Sequence, residues 1–204
     1  EQTADSQGMF GRDSGSLADA QKLLAANLTD LSAELGTALT PALTARFGRS
    51  FATTVAACFT ATALGLILLH LPALLSGTVV QTQINWLPAL GLNANFFLDG
   101  LGLLFAGLIL GIGLLIILYA RFYLAKSDPM GQFYTYLMLF QGAMLGIVLS
   151  DNVLLLLVFW ELTSLSSFLL IGFWTHLPEG RQGARMALTV TGAGGLAMIA
   201  GMLI

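Results

Sequence analysis

Glu161 is the residue in this sequence best placed to do chemistry. It stands in Val153–Trp174, a stretch with no other charged side chain. It lies about eight residues into a span of about 22, which at 1.5 Å per residue puts it about 12 Å deep, close to a bilayer midplane. An acid at that depth costs on the order of 2.5–3.5 kcal/mol on insertion scales, so it must face protein or a hydrated cavity. Ser164 lies one turn on and Ser167 one turn further, while Thr163 and Ser166 broaden the polar stripe. Leu154, Leu155, Val158, Leu162, Leu165 and Leu169 form an apolar opposite side suited to lipid. One reading is a proton or cation relay: a nearby cation holds a buried carboxylate ionised, and separating the pair lets a proton exchange. The other is a glutamate that only ties two helices together.

Two further carboxylates fall near the ends of apolar runs. Asp99 precedes Gly100-Leu101, and Asp151 with Asn152 precedes Val153. Helix capping is the ordinary use of an acid or amide there, since the helix dipole favours an anion at its N-terminus. A mouth for cations is the sharper alternative. His70 and His176 have no metal-ligand partner at useful spacing, and Cys58 is the sole cysteine, so no metal site is expected. No phosphate loop, dinucleotide fingerprint or nucleophile motif is present, and no catalytic residue or cofactor is expected.

The elements that must position these groups are membrane spans. The chain has 204 residues, of which 56% are hydrophobic and 9% charged, against about 25% charged in a soluble domain. Ten charges fall in residues 1–50 and nine in the rest. This excludes a water-soluble globule, a nucleic-acid binder and a disordered chain. Five apolar runs approach the length of about 20 residues that a spanning helix needs: 51–71, 97–119, 133–149, 153–174 and 186–204. None has the period-2 alternation of a barrel strand, so the fold class is an all-α polytopic membrane helix bundle.

Orientation follows from the basic residues. Arg46 and Arg49, Arg121 and Lys126, and Arg181 and Arg185 fall on one side under strict alternation; loops 72–96 and 150–152 have none. The positive-inside rule makes that side cytoplasmic, including residues 1–50 and the loops 120–132 and 175–185. Tyr119, Phe122, Tyr123, Phe133, Tyr134 and Trp174 collect at the same interface, with Trp86 in the outer loop. Gly107–Gly111 and Gly142–Gly146 have the small-xxx-small spacing of close helix contact, and Gly192-Ala193-Gly194-Gly195 reads as a break or loosening of the fifth span.

Residues 1–50 form a separate segment. Leu24, Leu28, Leu31, Leu35 and Leu39 predict an amphipathic helix, on the membrane surface or on a partner; a solvated leader, or translated sequence upstream of the true start, is the plainer reading. Asn27-Leu28-Thr29 matches a glycosylation sequon by chance as readily as by function. The chain begins without methionine and stops within an apolar run. A helix ending in hydrocarbon leaves carbonyls unpaired, so a piece of a longer protein is expected.

The run 150–174, with Asp151-Asn152 and Trp160-Glu161-Leu162-Thr163-Ser164-Leu165-Ser166-Ser167, resembles the large A-type chain of Mrp-type monovalent cation/proton antiporters. So do Leu98-Asp99-Gly100-Leu101-Gly102-Leu103-Leu104-Phe105, the stretch 128–146, and 183–195. That family shares its core with the antiporter-like subunits of respiratory complex I. The resemblance covers residues 51–204 and departs over 20–45, where the family's first span would align but Asp30 and Glu34 occur. It implies a bundle of fourteen or more helices with inverted repeats, an essential glutamate at Glu161, and a lysine partner for it on a helix beyond Ile204. It implies exchange of Na⁺ or K⁺ for H⁺ with other subunits of a complex in a bacterial inner membrane, and no redox chemistry on this polypeptide. The complex I branch resembles Arg-x-Gly-Asp where this chain has Gly192-Ala193-Gly194-Gly195, which favours the Mrp branch. A proton-pumping subunit of an NADH–quinone oxidoreductase and a non-transporting assembly module remain the alternatives.

Overall fold

A computed structural model describes residues 48, 50–87, 92–174 and 176–202. The amphipathic segment 24–39, the sequon, Arg46 and Arg49 lie outside the described residues. The apolar stretch Ser50–Leu75 folds as helix α1 over 50–69 and a five-residue α2, Leu71–Leu75. Pro72 has no N–H to continue the ladder, and the chain turns at His70, whose N–H bonds Ile67 O at 3.1 Å. Strands β1 (Val80–Leu87) and β2 (Leu92–Leu98) follow, then α3 (Gly100–Tyr123), α4 (Met130–Leu149), α5 (Val153–Ile171) and α6 (Pro178–Met202). Among the described residues, Ser50–Leu75, α3, α4 and α5 are long and apolar enough to cross a membrane.

The helices run up and down, so α3 and α5 end where α4 and α6 begin. α4 packs on α3 and α5, and α5 on α6. Thr53 of α1 meets Met130 and Tyr134, and Thr60 meets Met138 and Gln141, so α1 runs parallel to α4. Arg121, Lys126, Arg181 and Arg185 therefore share one end of the bundle with the start of α1, and all four are exposed. Ala56, Ile117, Ala120, Leu124, Met130, Tyr134 and Leu137 form a core towards that end.

Several expectations change. Residues 72–96 are not a plain loop: β1 and β2 pair antiparallel, with Val80 opposite Leu98 and Gln83 opposite Asn95. Val80, Thr82, Ile84 and Trp86 alternate with Gln81, Gln83 and Asn85, so a short period-2 pattern is present after all, outside the spans. Phe97 and Leu98 belong to β2, and the second span starts at Gly100. The third starts at Met130, and the fourth ends at Ile171. The last helix starts at Pro178, so Arg181 and Arg185 lie on its first turns and not in a loop. Proline favours the first helical position and Glu179 complements the dipole there. Gly192–Gly195 do not interrupt α6, which continues to Met202.

The aromatic set divides in two. Tyr119 and Tyr123 stack at 5.1 Å and, with Phe122, are exposed, as residues of a membrane interface would be. Tyr134 is instead buried. Its hydroxyl lies 3.1 Å from Thr53 Oγ1 and donates to Ile117 O at 3.1 Å. A phenol with two partners inside the bundle has no need of the headgroups.

Candidate functional site

α5 carries the acid. Its N-terminus is capped by Asn152, whose side chain accepts from Leu154 N at 2.9 Å and Leu155 N at 3.4 Å. Asp151 is exposed, and its backbone N–H donates to Asn95 O at 3.0 Å, tying β2 to the α4–α5 corner. Phe96 also bridges to Ser150, and its ring meets Phe159 at 6.4 Å. Asp99 caps α3, its Oδ1 accepting from Gly102 N at 2.7 Å. Asp99→Ala and Asn152→Ala are each expected to cost about 0.5–2 kcal/mol. Asp151→Asn should leave stability unchanged, measured as the thermal midpoint of the detergent-solubilised protein.

On an ideal helix Ser164 lies about 60° around from Glu161 and Ser167 about 120°, so the polar stripe winds around α5 instead of following one line. Ser164 and Ser166 are buried, whereas Ser167 is half-buried. Three hydroxyls bond to their own helix. Thr163 Oγ1 donates to Phe159 O at 2.8 Å, Ser164 Oγ to Trp160 O at 3.2 Å, and Ser166 Oγ to Leu162 O at 2.9 Å. Their protons are used, but each oxygen keeps lone pairs that can accept from water or ligate a cation. The apolar side is not all lipid-facing: Leu155 is 2% exposed, because α5 is packed by both α4 and α6.

Glu161 points at α6. A Cβ built on Gly195 would overlap Glu161 Oε1 and come within 3.1 Å of its Cδ and 3.5 Å of Trp160 Cδ1. Oε1 is buried and has no hydrogen-bond partner among the described residues. A carboxyl oxygen buried without a donor is costly unless something completes it. No group of three or more metal-ligating side chains occurs among the described residues.

A second buried polar group went unnoticed in the sequence. Gln141, in the middle of α4, is 4% exposed; its Oε1 accepts from Thr60 Oγ1 at 3.4 Å. Its Nε2 is buried without a partner among the described residues and occupies the space a Cβ on Gly113 would take. An amide in the centre of an apolar run was the available signal. The glycine spacing misled in part: a Cβ on Gly107, Gly111 or Gly142 would meet open space. Gly146 does make a close contact, with the ring of Phe159 filling its missing side chain.

Comparison with known proteins agrees with this architecture. Residues 86–134 match the family described as NADH-ubiquinone oxidoreductase (complex I), chain 5 N-terminus. Residues 150–204 match NADH:quinone oxidoreductase/Mrp antiporter, TM. Over 133 residues, 65% of the chain, it is 54% identical to the A/B chain of a probable K(+)/H(+) antiporter of Rhizobium meliloti. Over 130 residues, 64% of the chain, it is 53% identical to the A1 chain of a Na(+)/H(+) antiporter of Staphylococcus aureus. It spans only 13% and 16% of those relatives' lengths. Among solved structures, the Mrp complex of Dietzia sp. DQ12-45-1b contains a chain that matches 89% of this one, with a TM-score of 0.66 and 34% identity; the match covers 19% of that chain.

Proposed function

We propose, from its similarity to the large Mrp-type antiporter chains and to the family they share with subunits of complex I, that this chain forms part of an ion-translocating subunit. That subunit exchanges Na⁺ or K⁺ for H⁺ across a bacterial inner membrane, working as one member of a multisubunit complex. The observation that carries the reading is Glu161 Oε1, buried between α5 and α6 with no donor among the described residues. Glu161 is the relay. A lysine on a helix beyond Ile204 holds it ionised, and separation of the pair or arrival of water lets it take up and release a proton. Ser164, one turn on and about 60° around α5, offers an oxygen acceptor on the adjoining face, and Ser167, about 120° around, a second one further along. Asp99 and Asp151 lie at the opposite end from Arg121, Lys126, Arg181 and Arg185, and the basic end faces the cytoplasm.

The test is antiport in inverted vesicles containing the complete complex. With a respiration-independent proton gradient in place, added NaCl or KCl should dissipate it. No dissipation by either salt would overturn the antiporter reading. Gradient formation that requires NADH and quinone would favour the complex I alternative. A complex that needs the chain only for assembly would be insensitive to Glu161 substitution.

A further inference from the structure

Gly195 stands opposite the acid on α6, and the two fit as peg and notch. The Glu161 carboxyl occupies the volume where any other residue's Cβ would sit. The neighbouring Gly194 is different: a Cβ there would meet nothing within 4 Å. Two glycines adjacent in sequence thus have opposite surroundings, and only one borders the relay. No hydrogen bond among the described residues fixes Glu161 Oε1, so packing against α6 sets its place.

The overlapping atom is the far end of a flexible side chain, not backbone. A methyl group at 195 therefore moves the carboxyl and leaves the helix pair together. We propose that Gly195 is a positioning residue for Glu161: its missing side chain lets the carboxyl lie against the α6 backbone, where it meets its cation. The proposal rests on the relay reading of Glu161 and adds the group that aims it.

The experiment uses the full-length protein in its assembled complex, with initial rates of NaCl- or KCl-driven proton-gradient dissipation in vesicles. Five variants are compared with the parent: Gly195→Ala, Gly194→Ala, Glu161→Asp, Gly195→Ala with Glu161→Asp, and Glu161→Gln. Gly195→Ala should lower the maximal rate about ten- to a hundredfold, the scale on which displacing a working group by about an ångström is felt. Complex content, read from co-purified subunits, should stay at the parent level, as should the salt concentration for half-maximal rate. Gly194→Ala should match the parent.

Aspartate is shorter by one methylene, about 1.5 Å, and withdraws from the notch. Glu161→Asp should lower the rate by itself, and adding Gly195→Ala to it should cost little more. Three results would each overturn the proposal: Gly195→Ala behaving like Gly194→Ala, an equal loss from Gly195→Ala in both backgrounds, or a rate falling only in step with complex content. Full activity in Glu161→Gln would remove the relay reading itself. An inactive Glu161→Gln beside an unaffected Gly195→Ala would remove only the positioning role.

Discussion

Vesicles carrying the complete complex with Glu161→Gln are expected to lose cation-driven dissipation of the proton gradient by about a hundredfold or more, the scale of a positioned proton-transfer group. Glutamine keeps the shape of the side chain and can still rest against Gly195. It cannot carry the proton. The substitution also removes an acid whose insertion costs on the order of 2.5–3.5 kcal/mol, so assembly should be at least as good as in the parent. Loss of transport with normal complex content therefore isolates the proton-carrying function. Unchanged transport with normal assembly would leave Glu161 as a residue that only joins α5 to α6.

The second large effect concerns stability. Gly146→Ala puts a methyl group where the Phe159 ring lies, with Cγ, Cδ1 and Cε1 all in the way. The ring root is fixed by α5 and cannot slide as a long flexible chain can. α4 and α5 must then move apart, at about 1–3 kcal/mol, the usual cost of overpacking. Gly142→Ala, one turn earlier, meets open space and is expected to be neutral or mildly stabilising, since alanine is the better helix former. The thermal midpoint of the purified complex in detergent measures both. Equal midpoints for the two variants would show that the α4–α5 contact yields without cost.

Much of this was readable from residue type and spacing. Uninterrupted apolar runs mark helices regardless of what surrounds them, so α1, α3, α4 and α5 were placed to within a few residues. Asp99 and Asn152 could be read as caps because a cap is a local interaction. Glu161 stood out because a lone acid in hydrocarbon has few explanations. What stayed hidden depends on the facing helix. Gly107 and Gly146 look alike in sequence, and only the presence of Phe159 opposite Gly146 separates them. Leu155 and Leu154 are adjacent leucines, yet the first is buried and the second exposed. The hairpin escaped because its alternating pattern is short and sits in what reads as a connection between spans. Gly192–Gly195 suggested weakness in α6, but intrinsic propensity yields to packing, and the helix runs through.

The partners of Gln141 and Glu161 differ in when they are made. Chains emerge from the ribosome N-terminus first. Gln141 and Tyr134 of α4 meet Thr60, Gly113, Thr53 and Ile117, which all belong to segments synthesised earlier. When α4 enters the bilayer, the surface that shelters its polar groups is already there. Glu161 meets Gly195, translated 34 positions later. The acid of α5 is thus made before the helix that shelters it, the reverse of the order in which α4 and its shelter are made.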